Sequence, residues 1–130
     1  MKISFISTFG LSLFLILFSS AAIAQIPRVL SYQGAINDNN GRPVQDGSHN
    51  ISFFLYTFPL GGEPIYTETQ PVTIKGGIFS ATIGIRTAIP ASVKFDSAYF
   101  LSIAVDGGTE MSPRTLLTAA PYSLNSLAAV

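Results

Sequence analysis

Cysteine and tryptophan are both absent from these 130 residues, and only 11% of them are charged. Without cysteine no disulfide can staple the fold, no thiol can serve as a nucleophile or soft metal ligand, and no lipid can be attached at a processed N-terminal cysteine. Histidine occurs once, as His49, so any hydrolytic triad would have to be built around that one imidazole. His49 follows a turn and opens a strand, which predicts a solvent-facing edge residue. Among the eleven glycines there is no Gly-x-Gly-x-x-Gly or phosphate-loop spacing. The seven basic and seven acidic residues are scattered. A nucleic-acid binder clusters its Lys and Arg, and a membrane-surface binder carries a basic amphipathic helix. The sequence has neither.

The N-terminus is far from scarce in apolar residues. Met1-Lys2 is followed by an uncharged run from Ile3 to Phe18, then Ser19-Ser20 and the small-x-small pattern Ala22-Ile23-Ala24. This is the pattern of a cleavable signal peptide over residues 1–24, cut between Ala24 and Gln25. Export follows, to the cell surface or the medium, with the periplasm as the alternative. Cleavage removes Lys2 alone among the charges, leaving six basic against seven acidic residues. The product, residues 25–130, has the size of one domain. It contains no further apolar run long enough to span a bilayer.

The mature chain reads as short β-branched and aromatic runs divided by Gly, Pro, Asn and Asp clusters, the all-β signature. Val29 to Ile36 alternates, and Asn37 to Pro43 is dense turn chemistry. Asn50 to Phe58 places Ile51, Phe53 and Leu55 on one face and Phe54, Tyr56 and Phe58 on the other. Ile65 to Thr69 is a short strand with Pro71 at its end or on an edge. Val72 to Lys75, Gly76-Gly77 and Ile78 to Ile85 read as a hairpin. Residues 89–95, with Pro90 near their start, predict a short helical turn. Tyr99, Leu101, Ile103 and Val105 share a face of another strand, and Arg114 to Thr118 forms a last one. The expectation is an antiparallel two-sheet β-sandwich of about seven strands over residues 25–120, with a closed barrel as the other arrangement of the same pattern.

Several segments resemble a bacterial surface module. They are Ile26-Pro27, Leu30-Ser31-Tyr32-Gln33-Gly34, Asp38 with Gly41-Arg42-Pro43-Val44, and Asp46-Gly47. Phe53-Phe54-Leu55-Tyr56, Tyr66 to Gln70, Gly77-Ile78-Phe79-Ser80, Ile83-Gly84, Tyr99-Phe100-Leu101 and Pro113 to Ser123 complete the series. In that family the module is a β-sandwich head N-terminal to a fibrous part, which is heptad-rich, collagen-like or tail-fibre-like. The resemblance implies an extracellular structural or adhesive role, a fibre head domain, with no catalytic residues. It also places residues 121–130 as a tail at the start of a helix or stalk. The implied partner is a protein or glycan at the cell surface, or another copy of the chain.

Asp38, Asp46, Asp96 and Asp106 sit in turns, which explains them without paired-carboxylate chemistry. Asp38-Asn39-Asn40-Gly41 is a turn rather than a calcium loop, because it lacks the distal Glu of that template. No metal, cofactor or catalytic residue is assigned, and the chain reads as no enzyme. Two modification patterns occur. Asn50-Ile51-Ser52 falls inside a predicted strand, whereas Asp96-Ser97-Ala98 resembles a short bacterial O-glycosylation acceptor with Ser97 as its hydroxyl. The many aromatics read mainly as core, and a small carbohydrate-binding module is the alternative function if some of them face solvent.

Overall fold

The computed structural model describes residues 27–118. The predicted signal peptide, its Ala24–Gln25 cleavage site and the tail 121–130 lie outside the described residues. Six strands appear in chain order: β1 (Leu30–Ala35), β2 (Gly47–Tyr56), β3 (Tyr66–Ile74), β4 (Ile78–Ile83), β5 (Phe100–Val105) and β6 (Thr115–Leu116). They form two antiparallel sheets, β1-β4 and β3-β2-β5-β6. The described residues include no helix, and so none long and apolar enough to cross a membrane.

The sheets face one another because each strand's alternation supplies one apolar face. Ile51, Phe53 and Leu55 of β2, Leu101 and Ile103 of β5, Val72 and Ile74 of β3, and Phe79 and Ile83 of β4 are all buried in one cluster. Tyr32 of β1 packs its ring 6.3 Å from Phe53 and 5.8 Å from Phe79, and those two rings lie 6.4 Å apart. These three aromatic rings join the two sheets.

Three expectations change. The count falls from about seven strands to six, because the runs on either side of Pro71 are one strand, β3. β3 lies at the edge of its sheet, where a missing N–H need not break the ladder. The Gly76-Gly77 turn is present, closed by Lys75 N–H to Ile78 O and Ile78 N–H to Lys75 O, both 3.0 Å. Yet its legs separate at once, β3 pairing with β2 and β4 with β1. The hairpin is the hinge between the sheets.

The helical turn expected over 89–95 is instead an open loop holding one turn, Val93 N–H to Pro90 O at 3.0 Å. The Arg28 guanidinium donates to Pro90 O at 2.6 Å and to Val93 O, fixing this loop against the start of β1. Ile89 and Val93 point inward beside it.

Gly84, just after β4, has φ +100°, and a Cβ there would stand 2.6 Å from the Arg28 carbonyl oxygen. Gly41 has φ +76° with open space around it. Gly84→Ala is expected to cost more than about 3 kcal/mol, against about 1 kcal/mol for Gly41→Ala. Urea unfolding midpoints of the two variants measure the difference.

Candidate functional site

Antiparallel pairing orients the sandwich into two distinct ends. Leu30 faces Ile83, Leu55 faces Tyr66, and Tyr56, Phe100 and Leu116 are in register. The start of β1, the β2–β3 loop, the β4–β5 loop and the exit of β6 therefore share one end. The opposite end holds the loop 36–46, the Gly76-Gly77 turn and the Asp106-Gly107 turn.

Eight large apolar side chains are exposed among the described residues: Val29, Phe58, Leu60, Ile65, Ile78, Ile85, Phe95 and Leu116. Only Ile78 belongs to the Gly76-Gly77 end. The other seven flank or occupy the loops of the first end. Leu60 is 80% and Phe58 64% exposed, and both ride on the β2–β3 loop. Arg114 pins that loop by donating to the carbonyls of Phe58 and Gly61, each at 2.8 Å, while its guanidinium lies 3.3 Å from the Tyr56 ring centroid. Phe95 packs on Tyr99 at 5.3 Å with Arg28 above it. Isolated exposed apolar residues are ordinary, whereas a gathering of them marks a contact surface.

Ser97 lies on the exposed Asp96–Ser97 bend of the same end, between Phe95 and Tyr99. Asn50 lies inside β2, as expected of it. Asp38 Oδ1 accepts the backbone N–H groups of Asn40 at 2.8 Å and Arg42 at 3.0 Å, which makes its loop an Asx turn.

One buried carboxylate shapes the apolar end. Glu68 is 1% exposed on the inward face of β3. Its Oε1 accepts the N–H of Arg86 at 2.7 Å and Thr87 at 2.8 Å, and its Oε2 accepts Gly84 N–H at 2.9 Å and Gln70 Nε2 at 3.1 Å. Burial by itself pushes this carboxyl up, but the N–H groups of Thr87, Gly84 and Arg86 outweigh it and hold the group below its ordinary range. Tyr66 donates to Thr87 O at 2.5 Å. Burial, then the neighbouring Glu68 charge, push its hydroxyl up to about 12. A carboxylate inside a strand otherwise rich in Thr, Val and Ile gives no local signal of this role.

His49 is not the solvent-facing residue the sequence suggested. Nδ1 lies 2.7 Å from Asp106 Oδ2 and Nε2 lies 2.7 Å from the Gln45 carbonyl. Both partners are acceptors, an arrangement that favours the doubly protonated ring. Asp106 also accepts Asn50 N–H at 2.9 Å. Asp106, then the Gln45 carbonyl, raise the His49 pKa, while His49, then the Asn50 N–H, lower that of Asp106. The ring is a latch across the second end, with neither nitrogen turned to a nucleophile.

On the outer face of the larger sheet Glu110 accepts from Ser102 and Tyr56, each at 2.5 Å. The Ser102 hydroxyl, then that of Tyr56, hold Glu110 below its ordinary range. This cluster ties the chain after β5 back onto the sheet.

Two consequences can be measured. Glu68→Ala leaves three backbone N–H groups without their acceptor at about 1–3 kcal/mol each, so urea unfolding should show a loss of at least about 3 kcal/mol. The His49 latch stabilises fully below its unfolded value of 6.5 and weakens as pH rises through its raised folded value. Asp106 works oppositely, being lost as pH falls through its lowered value. Thermal melts from weakly acid to weakly alkaline pH should show a decline that His49→Gln removes.

No curated protein and no solved structure matches the chain. One family model does, over residues 31–114, a span running from β1 to the residue before β6. The chain therefore belongs to the family described as a domain of unknown function, DUF8740.

Proposed function

We propose that this protein is an exported, non-catalytic structural or adhesive module, a head domain that contacts a protein, a glycan-bearing surface or another copy of itself. The observation that carries this reading is the gathering of seven of the eight exposed large apolar side chains at one end of the sandwich. Such an end, made of loops on a rigid double sheet, is the usual place for recognition. The signal-peptide pattern of residues 1–24 supplies the route to the surface. Ser97, exposed on a bend beside Phe95, is the proposed O-glycan acceptor.

A small carbohydrate-binding module has less support. Saccharide stacking needs free aromatic faces; Tyr32, Phe53 and Phe79 spend theirs between the sheets, which leaves chiefly Phe58 and Phe95 among mostly aliphatic exposed side chains.

Light scattering and adsorption to cells of the producing bacterium test the proposal on the chain beginning at Gln25. Association or adsorption is expected, and Phe58→Ser with Leu60→Ser should weaken it by tenfold or more, about 1.4 kcal/mol. The melting temperature should change little, because both side chains are exposed. A monomer that adsorbs to nothing, or adsorption indifferent to these substitutions, would overturn it.

A further inference from the structure

At the polar end the single histidine stands between two parts of the fold. Each ring nitrogen of His49 lies 2.7 Å from an oxygen, Nδ1 from Asp106 Oδ2 and Nε2 from the Gln45 carbonyl. Asp106 sits in the turn after β5 and is itself fastened to β2. It accepts Asn50 N–H at 2.9 Å and donates its own N–H to Asn50 O at 2.7 Å. Gln45 sits in the loop 37–46, which leaves β1 and clasps the Gly76-Gly77 hinge. Ile36 N–H donates to Gly77 O at 2.7 Å, Val44 N–H to Ile36 O at 3.1 Å, and Gly76 N–H to Asp46 Oδ1 at 2.8 Å. The ring therefore joins the hinge loop to the larger sheet.

A neutral imidazole has one N–H and one lone pair, so it can serve only one of two acceptors. The carboxylate is the stronger claimant, because a hydrogen bond to an ionised acceptor is about twice as strong as one between neutral groups. Asp106, held below its ordinary range, stays ionised while the ring titrates. Loss of the proton then leaves Nδ1–H on Asp106 and turns the Nε2 lone pair towards the Gln45 oxygen, which it repels. Asp106 is the one charged group acting on the ring among the described residues. β3 opposes His49 with the uncharged Pro71, Val72 and Thr73. On the loop, Asp38 accepts the N–H groups of Asn40 and Arg42, and Asp46 that of Gly76.

We propose that His49 is a proton-operated release for the loop 37–46: on losing its proton the ring keeps Asp106 and lets go of Gln45, loosening the clasp on the Gly76-Gly77 hinge. The clasp is closed on the acid side of the His49 titration and open on the alkaline side, because only the charged ring holds both oxygens. The raised pKa of the ring places the change above its ordinary value of 6.5. The release is short in reach. Val44 is bonded on one side of Gln45 and Asp46 on the other, so the peptide between Gln45 and Asp46 swings first. Gly47, at φ +133°, takes up the rotation where β2 begins. With Gln45 free, the bond from Gly76 N–H to Asp46 opens more often. The device lies at the end opposite Phe58 and Leu60 and needs neither.

The buried core lies between Ile36 and Ala104, so the chain beginning at Gln25 retains it and suits the test. With one histidine in the sequence, its two ring nitrogen resonances are assigned without ambiguity. On titration the neutral ring should carry its proton on Nδ1, the reverse of free histidine in water. The Asp46 amide resonance should move with the ring. Exchange protection of Gly76 N–H should fall about tenfold or more, roughly 1.4 kcal/mol, while that of Ile51 in the core holds. Asp106→Asn reverses the choice. Asn still accepts Asn50 N–H, tolerates the φ of 50° at this position, and can donate to Nδ1. Its neutral ring should carry the proton on Nε2, keep Gln45 and leave Gly76 protection unchanged by pH. If Asp106→Asn fails to fold, the ring nitrogens of the natural chain still decide. A neutral ring protonated on Nε2 in the natural chain overturns the proposal. So does Gly76 protection indifferent to the titration, or the same pH response in Asp106→Asn.

Discussion

Glu68 is the constraint around which the sandwich closes. A carboxylate buried to this degree is costly to desolvate, and only a full set of donors makes it tolerable. Here the donors are three backbone N–H groups of the segment leaving β4 and the amide of Gln70. Because β3 and β4 belong to different sheets, satisfying Glu68 also ties the sheets together where the chain turns towards β5. The tight passage of Gly84 under the Arg28 carbonyl and the grip of Arg28 on Pro90 and Val93 extend that fixation along the loop.

From this follows a division of the surface. The tie at Glu68 and Gln70 and the Gly76-Gly77 turn bracket β3 and β4. The loops beyond the tie carry the exposed apolar side chains and the Asp96–Ser97 bend, with Arg114 and Arg28 as internal struts. The opposite end is polar and fastened by His49 and Asp106. One molecule thus presents an apolar end and a polar end, each with its own chemistry.

Much of the fold was legible in the chain. Alternation along 51–55 and 99–105 located the core faces, and Asn, Asp, Gly and Pro located the loops, because side-chain direction in a strand follows a period of two whatever its partner. Strand count was less legible. Pro71 looks like a boundary from its neighbours alone, and only its edge position makes it an interior residue of β3. The 89–95 segment keeps one turn and no helix, and the Arg28 contact that fixes it, some sixty residues away, has no local signal. His49 was legible as a turn-flanking residue but not as a latch, because Asp106 lies on a different strand's turn.

The amino-acid order by itself determined the all-β class, the inward faces and the absence of thiol chemistry. These depend on composition and on spacing of a few residues. Tertiary structure alone decided which sheet each strand joins, and therefore that the best local hairpin is split between two. It also brought positions 29, 58, 60, 65, 85, 95 and 116 to one end and set a carboxylate among backbone amides. Those outcomes arise from contacts between residues distant in the chain, where no local periodicity carries a signal.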